Sequence, residues 1–177
     1  MILRPALPAD APAVAALGRD SFVAAFGHLY RADDLAAFLA EAYDATAVAA
    51  EIAASAFRHR LAEDEGRLVG FCKLRFPSPY GEHSDAARPI ALQQLYADPA
   101  HTGQGIGARL MDWALAEAGA LAADAIQLSV WSGNSGAQRF YGRYGFAKIA
   151  EIDFMVGSHR DDEFLLELRL PSESRSD

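Results

Sequence analysis

The apolar positions of this chain change period several times along its length, and each change marks a new element. Residues 2–7 read as a short first strand. Asp10 is placed to cap a helix that carries Pro12 in its first turn and runs towards Phe26, where Gly27 ends it. Asp33 or Asp34 is placed to cap a second helix through Ala42, and Thr46 a third, short one through about Ala54. The period then falls to two. Residues 57–62 and 68–76 alternate as strands joined across Asp64-Glu-Gly66, a hairpin turn in which glycine supplies a positive φ. A loop over 77–89 and a strand over about 90–96 follow. Beyond them Ile106, Leu110, Trp113, Ala114 and Leu121 recur at helical spacing and form the inward stripe of an amphipathic helix. Residues 126–131 alternate as a buried strand, 135–144 read as a helix stopped at Gly145, and two strands flank His159-Arg-Asp-Asp162.

The resulting order, β-ααα-βββ-α-β-α-ββ, describes a mixed α/β fold. Its strand–helix–strand part requires a right-handed crossover with helices packed on a sheet. A length of 177 residues with 51% apolar and 23% charged side chains suits one globular domain over residues 1–170. Residues 171–177 form a short polar tail.

Composition removes several function classes. The single Cys72 falls in an apolar alternation and reads as a core thiol, so neither an internal disulfide nor a cysteine metal cluster is expected, and a reducing compartment fits. No opening segment joins basic residues to a long apolar run, and no stretch of about 20 apolar residues is present. The expectation is a cytoplasmic protein, monomer or homodimer, without membrane attachment. A net charge of −8 argues against a nucleic-acid partner and favours a cationic substrate.

Chemistry enters at Pro99-Ala-His-Thr-Gly-Gln-Gly-Ile-Gly-Ala-Arg-Leu110, a glycine-rich turn between the strand near residue 96 and the helix that follows. Gly103, Gly105 and Gly107 let the backbone approach a ligand closely, while the first helical amides present unpaired N–H groups and the positive end of the dipole. A pyrophosphate fits such a site. The loop is not a Walker A motif, because it closes Gly107-Ala108-Arg109 rather than Gly-Lys-Ser/Thr. Gly103, Gly105 and Ala108 satisfy a G-x-G-x-x-G/A dinucleotide fingerprint. The next strand, however, ends Ser129-Val130-Trp131 without the carboxylate that would hold a ribose.

Two segments together resemble the GCN5-related N-acetyltransferase (GNAT) superfamily. Thr102-Gly-Gln-Gly-Ile-Gly107 is similar to the family's Arg/Gln-x-x-Gly-x-Gly/Ala motif, with Thr102 where Arg or Gln usually stands. Asn134-Ser-Gly-Ala-Gln-Arg-Phe-Tyr-Gly-Arg-Tyr-Gly-Phe146 is similar to its Asn-x-x-Ala-x-x-Phe-Tyr-x-x-x-Gly-Phe segment. The resemblance covers nearly the whole chain. It implies a central mixed, twisted sheet of about six to seven strands, splayed at the central strand and flanked by helices. It also implies acetyl-CoA as co-substrate and no metal.

The same resemblance assigns roles. Leu95, Tyr96 and Ala97 would pair with the pantetheine arm, and an amide there would steady the thioester oxygen. Thr102, Gly103, Gln104, Gly105, Ile106, Gly107 and Ala108 would surround the pyrophosphate. Asn134, Ala137, Phe140 and Arg143 would border the coenzyme, although Asn134 serves equally as a helix cap and Arg143 and Arg109 equally as helix-surface cations. Tyr141 stands where the family has its general acid, and its ordinary pKa of about 10 lies above the about 8.5 of a thiol. It would protonate the thiolate after direct attack through a tetrahedral intermediate.

On the acceptor side the implied residues are Phe26, His28, Tyr30, Gln93, Gln94 and Trp131. Many relatives carry a basic Glu on the central strand, but Gln93 and Gln94 cannot accept a proton at neutral pH. A water relay, or His28, is left as the base. His101 would lie near phosphate, and Asp98 would shape the turn before Pro99. Residues 26–35 and 153–162 are similar to the bacterial spermidine acetyltransferase branch, which favours a polyamine-like small-molecule amine. A protein N-terminal or amino-acid acetyltransferase and a non-catalytic coenzyme A sensor are the alternatives.

Overall fold

The computed structural model describes residues 1–101 and 103–171, so the expected Thr102 contact and residues 172–177 of the tail lie outside the described residues. The chain runs β1 (Ile2–Pro5), α1 (Ala11–Phe26), α2 (Ala32–Ala42), α3 (Ala45–Ala53), β2 (Phe57–Asp64), β3 (Arg67–Arg75), β4 (Pro89–Ala97), α4 (Ile106–Ala120), β5 (Ala125–Trp131), α5 (Ser135–Arg143), β6 (Ala147–Val156) and β7 (His159–Arg169). Seven strands form one sheet in the order β1-β2-β3-β4-β5-β7-β6. Every described pairing is antiparallel except β4 with β5, whose parallel alignment is made by the α4 crossover. The mixed α/β fold expected from the element order is the one observed.

Helices cover both faces, because alternate residues of the inner strands are apolar on each side. On one face Leu110, Met111 and Ala114 of α4 are fully buried against Cys72, Leu74, Ile126 and Leu128. On the other, Val14, Phe22 and Tyr43 pack against Leu61 and Phe71. Each large side chain removed from water in this way contributes about 1.5–3 kcal/mol. A Cβ at Gly70 would stand 2.6 Å from Ile106 Cγ2 and 2.9 Å from the Tyr96 carbonyl oxygen, so glycine at this β3 position lets the first turn of α4 sit directly on the sheet. Among the described residues no helix is long and apolar enough to cross a membrane.

Several local expectations are corrected. Asp10 does not cap α1; its carboxylate is held by Arg4 at 2.7 and 2.8 Å and by the Leu7 amide. Arg31 occupies the cap position of α2, which leaves Asp33 and Asp34 in the first turn, and Asp34 accepts instead from the Ser158 hydroxyl at 3.2 Å. Asp44, not Thr46, caps α3, accepting from the Ala47 amide at 2.8 Å. In α4 the stripe includes Met111 and Ala118, while Leu121 already lies at the helix end. The turn of the last hairpin falls at Gly157-Ser158, with Val156 paired to His159, so the segment 159–162 is the start of β7 rather than a turn. This shift has functional weight, because it places Asp161 in a strand.

Candidate active site

The sheet opens at its centre. In the β3–β4 ladder Lys73 pairs with Gln94 and Leu74 with Leu92, so Gln93 is an extra residue that bends β4. The parallel ladder between β4 and β5 reaches only from Pro89↔Ala125 to Ala91↔Gln127, although both strands continue. β3 still pairs with β4 as far as Ala97, and β7 still pairs with β5 as far as Trp131. The two halves of the sheet therefore diverge as a V, and the inner backbone edge of residues 92–97 is left for an extended chain to bond. A cavity of about 760 Å³ occupies the opening and is lined from both faces of the sheet. Its size is that of a small-molecule site.

On the α4–α5 side the cavity wall reaches Ala97 and Pro99, while the expected coenzyme residues Gly103, Gln104, Gly105, Ile106, Gly107, Ala108, Phe140 and Arg143 lie outside it. Gly103 and Gly105 have φ of 79° and 76°, and a Cβ at either would meet no protein atom within 4 Å. Gly105 is the residue before α4 and makes no side-chain cap, so the first amides of the helix, from Ile106, Gly107 and Ala108, have no intrahelical acceptor. Glycine backbone conformation, open space and free donors together fit a pyrophosphate. Gln104 is exposed on this turn. The Ile106 side chain belongs to the core, leaving only its backbone for a ligand. Leu95, Tyr96, Ala97, Asn134, Ala137 and Tyr141 are in the cavity wall. Asn134 Oδ1 accepts from the Ala137 amide at 3.0 Å, which makes it the cap of α5.

Tyr141 projects from α5 among Phe140 and Phe146, with ring centroids 5.3 and 5.7 Å away. Burial pushes its hydroxyl well above the ordinary phenol value. The group therefore holds its proton throughout the neutral range. Phe140 lies 3.8 Å from a Cβ position on Gly107 and carries the Arg143 guanidinium over its ring at 5.6 Å. Arg109 donates to the Met1 carbonyl at 3.0 Å, and His101 lies 3.1 Å from Asp98. Asp98 also accepts from the Ala100 amide and from Arg67, so it does shape the turn.

The opposite side of the cavity is aromatic and acidic. Phe22 stacks on Tyr30 at 5.9 Å, and Phe26 meets Trp131 edge-on at 6.3 Å. Tyr30 donates to Asp161 Oδ2 at 2.5 Å, while His159 Nε2 lies 3.1 Å from Asp161 Oδ1, so both oxygens of this buried carboxylate are engaged. Two residues along the same strand, Glu163 faces the same cavity. Its Oε2 is buried without a hydrogen-bond partner among the described residues. Burial holds the Glu163 carboxyl above its ordinary value; a hydrogen bond from Ser129 opposes the shift, and the Asp161 charge reinforces it. Lys73 and Glu51, paired at 2.9 Å, and Arg75 complete the charged part of the wall.

Of the expected acceptor residues, Phe26, Tyr30, Gln93, Gln94 and Trp131 line the cavity. His28 does not. It is exposed on the 3-10 turn Gly27–Leu29, outside the wall, which removes the reason for naming it as base. Asp161, Glu163 and Tyr43 were not anticipated. The first two were readable as acidic residues two apart in an alternating strand, provided that Gly157-Ser158 was taken as the turn.

Residues 23–146 match the family model described as "Acetyltransferase (GNAT) family". The chain is 26% identical over 161 residues to an uncharacterized N-acetyltransferase in the pepI 3′ region of Lactobacillus delbrueckii subsp. lactis, covering 91% of this chain and 92% of that protein. It is 31% identical over 91 residues to the spermine/spermidine N(1)-acetyltransferase of Bacillus subtilis, covering 51% and 59% respectively. A solved structure of the PaiA N-acetyltransferase from Thermoplasma acidophilum in complex with coenzyme A superposes with a TM-score of 0.77 at 20% identity, over 96% of this chain and 98% of that one. The last likeness shows a common fold.

Proposed function

Because the chain belongs to the GNAT family of acetyltransferases and is an N-acetyltransferase that uses acetyl-CoA, we propose that its acceptor is a primary amine of a small, polyamine-like cation. The observation that carries this reading is the pair Asp161 and Glu163 beside the aromatic rings of a cavity that also contains Tyr141. Alkylammonium ions are bound by carboxylates and by aromatic faces. The spermine/spermidine name of the Bacillus subtilis relative supports the same class. The proposed setting is the cytoplasm, where the single buried thiol Cys72 is in keeping with a reducing compartment.

Bound acetyl-CoA supplies the activated thioester carbonyl. The chain's residues supply the rest. Amides of the glycine turn and the first turn of α4 would hold the pyrophosphate, and the free backbone edge of Leu95, Tyr96 and Ala97 would align the pantetheine arm. Phe26, Trp131 and Tyr30 would exclude water around the acceptor. Tyr141 holds a proton for the departing sulfur.

A second reading, an amino-acid or peptide N-terminus as acceptor, is favoured by Lys73 and Arg75 in the same wall, which suit a carboxylate. Thiol release from acetyl-CoA across polyamines, amino acids and short peptides separates the two. Turnover with polyamines alone supports the first reading, and turnover confined to carboxylate-bearing amines overturns it.

A further inference from the structure

We propose that Glu163 is the general base that takes the proton from the acceptor ammonium. The inference rests on the transferase reading above. Glu163 lies on β7 opposite Trp131 of β5, on the strand beside the opening of the sheet, and faces the cavity that Tyr141 enters from the other side. Its Oε2 is buried and has no hydrogen-bond partner among the described residues, so no donor competes with a proton arriving there. The other groups of the site differ: Asp161 is held at both oxygens by Tyr30 and His159, Glu51 is paired with Lys73, and Gln93 and Gln94 have no basic atom.

The surroundings suit the task. Facing Glu163 are Asp161 on its own strand, Ser129 on β5, Tyr30 from the connection between α1 and α2, and Tyr96 on β4, while β6 places Ile152 beside it. The Lys73–Glu51 pair reaches the same cavity from β3 and α3. Burial and the Asp161 charge raise the Glu163 pKa, which brings the carboxylate closer to the range in which an acid–base group works best at neutral pH. The ammonium proton passes to Glu163 and the freed nitrogen lone pair forms the N–C bond at the thioester carbonyl. The C–S bond then breaks with its electron pair on sulfur, and Tyr141 protonates the thiolate. The remaining excess proton on nitrogen restores Tyr141, and Glu163 releases its proton to solvent.

The test is the pH dependence of steady-state acetylation by the full-length protein, with whichever amine of the panel turns over fastest. A failure of the polyamine reading is thus seen in the panel and leaves this test intact. Glu163→Gln is expected to lower kcat by at least about 30-fold at neutral pH with acetyl-CoA affinity changed less than threefold, and to abolish the acidic limb of the rate profile. Ser129→Ala is expected to move that limb to higher pH, since it removes the hydrogen bond that favours the carboxylate, and Asp161→Asn to move it lower. A Glu163→Gln rate within threefold of wild type, an unchanged acidic limb, or a loss confined to acceptor KM would each overturn the assignment.

Discussion

The Tyr30 hydroxyl donates to Asp161 Oδ2 at 2.5 Å across 131 residues of sequence, tying the connection between α1 and α2 to the first turn-proximal residues of β7. This bond fixes one wall of the cavity to the sheet and keeps Asp161 in place beside Glu163. A hydrogen bond to a charged group is worth about 1.5–3 kcal/mol. Tyr30→Phe is therefore expected to raise acceptor KM by about tenfold or more while leaving acetyl-CoA affinity unchanged, which steady-state kinetics with each substrate varied in turn will check.

Tyr141→Phe removes the hydroxyl and keeps the ring that packs against Phe140 and Phe146. The expected outcome is a kcat at least about tenfold lower, with acetyl-CoA binding by calorimetry within twofold of wild type. An undiminished rate would assign the leaving-group proton to another donor.

Gly105→Ala places a methyl group on the open side of the turn at φ 76°, where it meets no protein atom within 4 Å. Stability should fall by only about 1 kcal/mol, the cost of a left-handed alanine. Acetyl-CoA affinity should fall by about tenfold or more if the pyrophosphate lies against this backbone. Chemical denaturation and calorimetry on the same sample separate the two effects.

His59 supplies a pH prediction away from the site. Burial, reinforced by the nearby Lys73 charge, lowers its pKa from 6.5 to about 4, and its Nδ1 has no partner among the described residues. Below pH 6.5 the unfolded chain binds a proton at this residue that the folded chain refuses, so stability is lost as pH falls from about 6.5 to about 4 and no further below that. The loss is on the order of 2–3 kcal/mol across the window. Urea denaturation of His59→Leu should show a flatter dependence over this range than wild type; parallel curves would exclude His59 as the source.

Near-neighbour patterns in this chain were readable to different depths. The glycine turn and the Asn134–Phe146 segment carry the family likeness in spacing alone, because each motif is contiguous in the chain. Caps were less readable. Asp44 and Thr46 are both good capping residues two positions apart, and only the observed helix start distinguishes them. The last hairpin was misplaced because Asp161 and Asp162 look like turn residues, whereas Gly157 and Ser158 make the turn and Asp161 becomes buried.

The sequence by itself determined the mixed α/β class, the order of elements and the family, since all of these depend on periodicity and on motifs contiguous in the chain. It also determined that the central strand lacks a carboxylate, as Gln93 and Gln94 stand there. Only the tertiary structure decided what lines the cavity. The bulge at Gln93 and the short β4–β5 ladder open the sheet, and the opening brings together Tyr30 from the α1–α2 connection, Tyr141 from α5, and Asp161 and Glu163 from β7. It likewise left His28 outside. A side chain's sequence neighbours determine the face it occupies, but which faces converge on one cavity is settled by strand register and crossover, and those are satisfied only when the whole sheet packs.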